Sequence, residues 1–484
     1  MMRLKFATFI LTAATHMFAV SGAQNAFISD IVDSVTGVAP RLISPLVKVV
    51  SNLYDPNRLV IIMNEDTKSV IAAAANTSNA IWTEAERVAN IRNIVYALKQ
   101  HARRTQNSVM RVLTAEGYQF RSNWISNTIE VKDCPLKLVQ QIHGLLAVKE
   151  IVYDIIVNQD STKCAADLAN DTASAEWGVT KIRAPNVWSS KNIGQNVVIG
   201  NIDTGVRSSH ESLINNWVGS HGWFDPRQRT VTPFDASGHG THTMATAVGG
   251  KGVGVAPGAK WLACKGCGPR SCSLSLLTAC AQFMLCPTDT SGNNCDPSKA
   301  PHIVSNSWGG GQDPNYFQSS LDAWHAARII PVFSAGNSGT SGCGSIASPS
   351  DSSKVFSVGA TDKNDNLATF SSLGPATNGN IKPDFVGPGV SIRSAWNNDN
   401  SEYRSISGTS MAAPHLAGTI ALILSARPGL NFDAVKTVLI NSTDQTLPKA
   451  ALTCGGTSDT VFPNNQYGYG RINAEKAVKA ALAI

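Results

Sequence analysis

The sequence has few charged residues: they make up 15% of its 484 residues, against roughly 25% in typical soluble proteins. The net charge of +6 is dispersed, and no run of Lys and Arg is longer than the pair Arg103 and Arg104. Nucleic-acid binding needs a clustered basic surface. We therefore expect no nucleic-acid partner.

Long apolar runs are lacking beyond the N-terminus. A bilayer-spanning helix needs about 18 or more apolar residues, and the best candidate, residues 412–424, is shorter and contains Pro414 and His415. At the N-terminus, Arg3 and Lys5 precede a mostly apolar stretch, and small residues follow at positions 21–23. This pattern predicts a signal peptide over residues 1–23 and a secreted protein with no membrane association. A buried N-terminal helix is the alternative.

A repeated CxxC pair is also missing, although the chain has ten cysteines, six of them between residues 264 and 295. The spacing of Cys264 and Cys267 suits a zinc site, but no second pair of that kind follows. Because an exported chain meets oxidising conditions, disulfides are favoured over zinc. The sequence leaves their pairing open.

Two regions of different character follow the signal. Over residues 24–165 we expect a small α+β domain with β-α-β-β-α-β order, ending in a polar, cleavable linker at residues 158–175. Its predicted strands cover residues 58–63, 109–113, 128–131 and 150–157, and its helices cover residues 83–101 and 135–147.

Residues 166–484 read as a larger α/β domain. Short apolar runs at residues 197–202, 261–263, 303–304, 329–333 and 355–358 alternate with helical segments at residues 273–284, 316–327 and 414–425. This alternation predicts a parallel sheet with helices on both faces. Functional groups in such sheets lie at the carboxyl ends of the strands. That rule selects Asp203, residues 305–308 and Asn337.

Four residues together supply the chemistry of acyl transfer. Taken singly, Asp203 could shape a turn, His239 could be structural, and Ser410 could cap a helix. Together, however, Ser410 is a nucleophile, His239 is the base that takes its proton, and Asp203 orients the imidazole. Asn337 and the backbone N–H of Ser410 can stabilise the oxyanion. The order Asp, His, Ser and the lack of a GxSxG elbow exclude the α/β-hydrolase arrangement.

The phrases NIDTG (residues 201–205), HGTH (residues 239–242) and GTSMAAPH (residues 408–415) resemble the three catalytic motifs of the subtilisin-like serine proteases, the subtilases. SAGN (residues 334–337) resembles their oxyanion segment. GVAPGAKW (residues 254–261) also resembles relatives of bacillopeptidase F and some secreted eukaryotic subtilases. The resemblance covers residues 177–484, and the region before residue 160 more weakly resembles the family's inhibitory propeptide.

The resemblance implies a secreted endopeptidase made as a self-processing zymogen, with protein or peptide substrates and its own propeptide as inhibitor. It assigns Ser307, Trp308 and Gly309 to one side of the primary specificity pocket, Ala335 and Gly336 to the other, and the segment near residue 347 to its floor. No carboxylate is evident there, so we expect a preference for apolar or uncharged P1 residues. Trp308 could instead be a packed core aromatic.

Other interpretations remain open. An inactive homologue that serves as a binding protein would lack a triad or oxyanion residue, and none is missing; a serine esterase or acyltransferase would use the same nucleophile. The family's calcium loop is not expected, because residues 247–253 are short and lack carboxylates. We expect no metal and no cofactor for the chemistry, although structural calcium elsewhere is possible, and we take a monomer as the default.

Overall fold

The computed structural model describes residues 54–78, 80–158, 163–165, 174–312, 315 and 317–484. Of its two units, Met1–Pro56 and Asn57–Ile484, the second contains nearly all of the described residues. The predicted signal peptide lies outside them, as does most of the predicted linker at residues 158–175.

Residues 54–158, which we call the N-terminal region, form an antiparallel sheet with helices. Its elements run β1 (Tyr54–Met63), α1 (Lys68–Ala74), α2 (Glu84–Ala115), β2 (Phe120–Asn123), β3 (Thr128–Lys132), α3 (Leu136–His143) and β4 (Val148–Asn158). The strand order is β2-β3-β1-β4, with β3 antiparallel to both β1 and β2. The expected α+β character is present, with one more helix than predicted.

The predicted strand at residues 109–113 is wrong, because this segment continues the 32-residue helix α2. Val109 and Leu113 are four residues apart and therefore share one helical face, which packs into the core of the N-terminal region. The short, mostly apolar segment that suggested a strand thus contributes to the buried face of a helix. Strand β2 and helix α1 were not predicted.

The rest of the chain forms the α/β region. Its strands are β5 (Lys163–Ala165), β6 (Val198–Asp203), β7 (Trp223–Phe224), β8 (Lys260–Lys265), β9 (Ser271–Ser273), β10 (Ile303–Asn306), β11 (Ile330–Ser334), β12 (Phe356–Thr361), β13 (Phe385–Pro388), β14 (Ile392–Ala395), β15 (Tyr403–Ser407), β16 (Thr453–Cys454) and β17 (Thr457–Ser458). Its helices are α4 (Trp177–Lys181), α5 (Ala184–Trp188), α6 (His239–Val248), α7 (Leu274–Leu285), α8 (Gln318–Ala326), α9 (Thr409–Ala426), α10 (Phe432–Ile440) and α11 (Ala474–Leu482).

A parallel sheet in the order β13-β12-β11-β10-β6-β8-β7 is the centre of this region. The chain passes from β6 to β8 on one side and later returns to β10 on the other side. Ligands of open α/β sheets bind at such a switch point, outside the carboxyl ends of the strands. The predicted fold class, a parallel sheet flanked by helices, is confirmed. A functional site is therefore expected at the carboxyl ends of β6 and β10.

The N-terminal region is joined to the α/β region by strands and by a shared core. Strand β4 pairs antiparallel with β9, so that β9 completes the N-terminal sheet. Strand β5 pairs antiparallel with β15, which leads directly into helix α9. Apolar residues of α1 and the first half of α2 belong to the same buried cluster as residues of α7 and α8.

Helix α9 is, among the described residues, long and apolar enough by length and composition to cross a membrane. However, 89% of its 18 residues are buried inside the protein. It packs against α6, α11 and several strands of the central sheet. Its apolar character is that of a core helix.

Four disulfides form within the described residues: Cys264–Cys280, Cys267–Cys272, Cys286–Cys295 and Cys343–Cys454. Three of them lie within the cysteine-rich segment at residues 264–295, for which the sequence suggested either a zinc site or disulfides. The prediction of disulfides is confirmed. The bridge Cys264–Cys280 spans strand β9, and Cys272 of the bridge Cys267–Cys272 lies in that strand, which pairs with β4 of the N-terminal region.

Candidate active site

Asp203 and His239 meet at the carboxyl edge of the sheet. Asp203 is the last residue of β6, and His239 is the first residue of α6. The His239 Nδ1 atom lies 2.8 Å from Asp203 Oδ1, although the residues are 36 positions apart. Gly240 permits this approach, because a Cβ atom there would lie only 3.0 Å from the Cβ of Asp203.

Asp203 is 1% exposed, and a buried carboxylate is unfavourable without partners. Three donors supply them. The Nδ1–H of His239 donates to Oδ1, the backbone N–H of Thr204 donates to Oδ1 at 2.7 Å, and the hydroxyl of Thr243 lies 3.5 Å from Oδ2. Because Nδ1 carries the donated proton, a neutral His239 has an unprotonated Nε2. That tautomer is the one a general base requires.

Asp235, which the sequence did not single out, links the segments that carry Asp203 and His239 through the nearby residues Thr204 and Thr241. Its Oδ1 accepts a hydrogen bond from the hydroxyl of Thr204 at 2.7 Å, and its Oδ2 accepts from the Thr241 N–H at 2.8 Å and the Thr241 hydroxyl at 2.6 Å. Thr204 Oγ1 in turn accepts the Gly240 N–H at 3.0 Å. These contacts satisfy N–H groups of the first turn of α6. A carboxylate four residues before a helix-starting histidine was the available signal.

His242 ties the same helix to the β14–β15 hairpin. Its Nε2 donates to the carbonyls of Ile392 at 2.9 Å and Arg404 at 3.1 Å. Complete burial lowers the pKa of His242 to about 3, so the ring is neutral at ordinary pH. These contacts and the neutral ring make His242 a structural residue of this helix.

Ser410 lies in the first turn of α9, beside the ends of β10 and β11. Its hydroxyl lies 3.5 Å from the carbonyl of Ser307, and the Ser307 hydroxyl donates to the Ser410 carbonyl at 2.9 Å. Asn337 Oδ1 accepts both the N–H and the hydroxyl of Thr409, each at 2.9 Å. Because Oδ1 is held by Thr409, the Nδ2 amino group of Asn337 points away from the Thr409 donors. Helix α9 also packs against α6, which carries His239.

The predicted pocket residues come together around Ala347. A Cβ atom on Gly309 would lie 3.4 Å from the Ala347 Cβ, and one on Gly336 would lie 3.1 Å from it. The Ala347 N–H donates to the carbonyl of Ala335 at 3.0 Å. The backbones of Gly309 and Gly336 therefore both lie close to the Ala347 methyl group, and neither glycine adds a side chain there.

Trp308 points its side chain elsewhere. It is 1% exposed and forms edge-to-face contacts with Phe317 at 5.3 Å and Phe333 at 5.0 Å between ring centroids. Its indole therefore packs in the core, which is the alternative that the sequence left open.

No group of three or more His, Cys, Asp or Glu residues is arranged to hold a metal ion within the part of the chain that the structure describes. In the loop after α6, the Gly250 N–H donates to the Ser212 carbonyl at 2.8 Å. Residues 247–253 carry no side-chain oxygen, so this loop offers a calcium ion only backbone carbonyls.

Known proteins are similar in sequence to much of this chain. A model of the subtilase family matches residues 194–470, which include all the candidate residues above. The chain is 33% identical over 421 residues to bacillopeptidase F of Bacillus subtilis (strain 168), covering 80% of this chain and 28% of that protein. It is 33% identical over 313 residues to subtilisin DY of Bacillus licheniformis, covering 63% of this chain and 98% of the relative. The serine protease AprX of Bacillus subtilis (strain 168) is 30% identical over 374 residues, or 70% of this chain and 76% of AprX.

The chain belongs to the subtilase family and is a serine-type endopeptidase, as its motifs predicted. It spans about a quarter of the length of bacillopeptidase F. The alternatives of a non-catalytic binding protein and of an esterase are therefore not favoured.

Proposed function

We propose that this protein cleaves peptide bonds through a triad of Asp203, His239 and Ser410, with Asn337 as an oxyanion donor. The contact between His239 Nδ1 and Asp203 Oδ1, at 2.8 Å, carries this proposal. It holds the imidazole in the tautomer that can accept the proton of Ser410.

In the reaction, Ser410 Oγ attacks the carbonyl carbon of the substrate while its proton passes to His239 Nε2. The carbonyl oxygen becomes an oxyanion, which accepts hydrogen bonds from Asn337 Nδ2 and the Ser410 N–H. The intermediate collapses, His239 gives its proton to the leaving amine, and an acyl-enzyme remains on Ser410. Water, deprotonated by His239, then releases the acid and restores the serine.

A fluorophosphonate probe tests these assignments directly. We expect one adduct on Ser410, located by mass spectrometry, and none in Ser410→Ala. Hydrolysis of casein should exceed that of short-chain esters in the matured protein. Labelling at another serine would contradict the proposed triad.

We further propose that the uncut chain is a zymogen. Strand β4 pairs with β9 up to Asn158, and β5 pairs with β15 from Lys163. Ser410 is 1% exposed and His239 is 3% exposed in this uncut chain, which supports a closed active site. We expect the maturing cut between β4 and β5; the intervening residues 159–162 lie outside the described residues.

Expression of the Ser410→Ala precursor tests self-processing. We expect it to remain uncut, whereas the unaltered chain should yield a new N-terminus that sequencing places between Asn158 and Lys163. Normal maturation of the variant would mean that another protease cuts the chain.

An apolar P1 preference is the expected specificity. It is supported by the walls at Gly309 and Gly336 and the floor at Ala347, none of which carries a charge. Paired fluorogenic peptides with Phe, Leu, Arg or Lys at P1 would measure it, and Ala347→Gly should shift the preference towards larger apolar side chains. A marked preference for Arg or Lys would instead implicate Asp351, a buried carboxylate near this floor that accepts a 2.5 Å hydrogen bond from Ser348.

We also propose that the protein acts outside the cell. Secretion is supported by the N-terminal signal pattern and by four disulfides, which persist in oxidising compartments. We propose a monomer whose partners are protein or peptide substrates and its own propeptide, with no nucleic-acid or membrane partner. The chemistry drawn above needs no metal or cofactor.

A further inference from the structure

Strand β9 lies close to the catalytic residues. The last residue of β8, Lys265, stands beside Asp203 in the register of the central sheet. Just after β8, the Cys267 N–H donates to the Asp203 carbonyl at 3.1 Å. The bridge Cys267–Cys272 then ties this segment to β9. An extended chain that pairs with β9 therefore lies near the active site.

Strand β4 is such an extended chain. It runs antiparallel to β9, with Asn158 opposite Ser271 and Ile156 opposite Ser273. Because the proposed maturing cut follows β4, this strand lies on the amino-terminal side of the bond that is cleaved. A strand added to the edge of a sheet is held by backbone hydrogen bonds that many sequences can make. The upstream residues of a substrate can therefore pair with β9 once β4 has left.

The side chain of Asp154, in β4, sits on the N-terminus of helix α7. The register of β4 and β9, continued by two residues, places Asp154 opposite Ser275. Asp154 is 0% exposed. Its Oδ1 accepts the Ser275 N–H at 2.9 Å, and its Oδ2 accepts the Ser275 hydroxyl at 2.7 Å and the Ser273 hydroxyl. Three donors of the α/β region thus converge on one carboxylate.

Helix α7 does not carry an acceptor of its own at this end. The sequence of its first turn, Leu-Ser-Leu-Leu, contains no carboxylate. Its N-cap residue Ser273 directs its hydroxyl to Asp154 rather than to a backbone N–H of the helix. The first N–H groups of a helix lack partners within it, and the dipole there favours an anion. Departure of β4 leaves these donors without the carboxylate that they bind in the uncut chain.

Arg58 also approaches Asp154, with its Nε atom 3.5 Å from Oδ2. This residue belongs to β1 of the N-terminal region and also forms an ion pair with Glu130 of β3. It is therefore absent from the α/β region, whereas Ser273 and Ser275 remain in it. The anion-binding donors that a substrate can meet are those of α7.

We propose that Ser273, Ser275 and the N-terminus of α7 form a subsite of the mature enzyme for an acidic side chain of an extended peptide substrate. The proposal rests on the zymogen function above, because β4 must leave before a substrate can enter. The subsite takes the substrate residue that stands where Asp154 stands. A cut after residue 158 makes this the fifth residue before the cleaved bond, and a cut after residue 162 makes it the ninth. Substrate selection then extends well upstream of P1.

Peptides that match the chain's own sequence test the subsite with unaltered enzyme. The parent peptide contains residues 150–163 between a fluorophore and a quencher, and the protein is the full chain after it has processed itself. We expect Asp154→Asn in the peptide to lower kcat/KM about tenfold, because the amide loses the charge and one of the two acceptor oxygens. Mass spectrometry of the products shows whether both peptides are cut at the same bond.

Glu150→Gln is the matched control peptide. It makes the same change of charge in the same peptide, at a residue that is exposed in β4. Its kcat/KM should stay within twofold of the parent peptide. Equal kcat/KM for the parent and Asp154→Asn peptides would overturn the proposal. Equal losses for Asp154→Asn and Glu150→Gln would also overturn it, because a general effect of charge would then explain the preference.

Variants of the enzyme locate the effect. Ser275→Ala should lower kcat/KM for the parent peptide about threefold or more and leave the Asp154→Asn peptide unchanged, because the hydroxyl and the carboxylate form one contact. Thr278→Ala is the matched control, since its hydroxyl bonds to the Leu274 carbonyl one turn later on the same helix. It should keep the full preference for the parent peptide. Fluorophosphonate labelling gives the active fraction of each variant, so that a folding defect is not mistaken for lost recognition.

A failure of the zymogen function has a different signature, because the wild-type chain would then remain uncut on a gel. A specific protease site in place of residues 159–162 would in that case supply the cut while Ser410 stays intact. The same comparison of the parent, Asp154→Asn and Glu150→Gln peptides then decides whether the subsite exists. A preference for the parent peptide over Asp154→Asn alone supports it, and equal cleavage of all three peptides contradicts it.

Discussion

Replacing Asp235 by asparagine should impair catalysis although Asp235 is no member of the triad. Its carboxylate accepts hydrogen bonds from the Thr204 hydroxyl, the Ser237 N–H and both donors of Thr241. An amide keeps only one of the two acceptor oxygens. The Thr204 hydroxyl tolerates the change, because its hydrogen can rotate away while its oxygen still accepts the Gly240 N–H. The backbone N–H of Ser237 or of Thr241 cannot rotate, and one of them would then face the NH₂ group of the asparagine.

The magnitude follows from these contacts. An unsatisfied N–H costs about 1–3 kcal/mol, and loss of a negative charge at a helix N-terminus costs about 0.3–1 kcal/mol more. Part of this appears as lost stability, and the rest as displacement of His239 from Asp203. Because small displacements of catalytic groups reduce rates by up to about 10²-fold, we expect kcat to fall about 10- to 100-fold. KM should change less than threefold, since Asp235 is not among the pocket residues.

The assay is steady-state hydrolysis of a fluorogenic peptide across pH, with urea unfolding measured in parallel. Asp433→Asn is the matched control: Asp433 lies exposed in the first turn of α10 and is not among the partners of the triad. It should lower stability slightly and leave kcat unchanged. If Asp235→Asn loses stability but keeps wild-type kcat, or if both variants lose kcat equally, the argument that Asp235 positions His239 is refuted.

Three further outcomes are expected. Asn337→Leu should lower kcat with little change in KM, by about 10²–10³-fold, which is the loss known for the corresponding donor of a subtilisin, a member of this family; a loss below tenfold in steady-state assays would contradict the oxyanion role. Burial lowers the pKa of His242 to about 3 and that of His415 to about 4. Because an unfolded histidine titrates near 6.5, the unfolded chain binds more protons below that pH. The unfolding free energy should therefore fall on acidification from pH 6.5 towards 4 by about 1.4 kcal/mol per pH unit for each ring. Urea unfolding at several pH values would measure this fall, and His242→Gln should remove the part of the pH dependence that comes from His242. Replacing Cys343 and Cys454 together by serine opens a loop of 111 residues and should lower the unfolding free energy by about 5 kcal/mol; a loss under 1 kcal/mol in urea unfolding would contradict this.

Much of the catalytic region could be predicted because its information is local. Each apolar run of the central sheet is a few residues long, and three of the five runs end in a recognisable polar motif. Asp203 and Asn337 therefore appeared at strand ends, and Ser410 at a helix start, before any contact was known. The helix starting at Thr83 was equally readable, since Thr83 and Glu86 form a capping box.

Other features depended on contacts between distant residues. The end of α2 was misplaced because an apolar pair at residues 109 and 113 fits a strand or a helix until its packing partner is known. Trp308 could line a cleft or fill a core, and the aromatic rings of Phe317 and Phe333 decide for the core. The positioning role of Asp235 depends on the hydroxyls of Thr204 and Thr241, which lie beside its carboxylate only in the folded chain.

The sequence by itself determined five strands of the central sheet, three of the helices that flank it, the chemical inventory of the active site and the preference for disulfides, because periodicity, motif and composition act over short distances. Only the tertiary structure decided the cysteine pairing, the 2.8 Å contact of His239 with Asp203 and the packing of α2 with residues of α7 and α8. These depend on which faces pack together, and that choice is made by the burial of the whole chain at once.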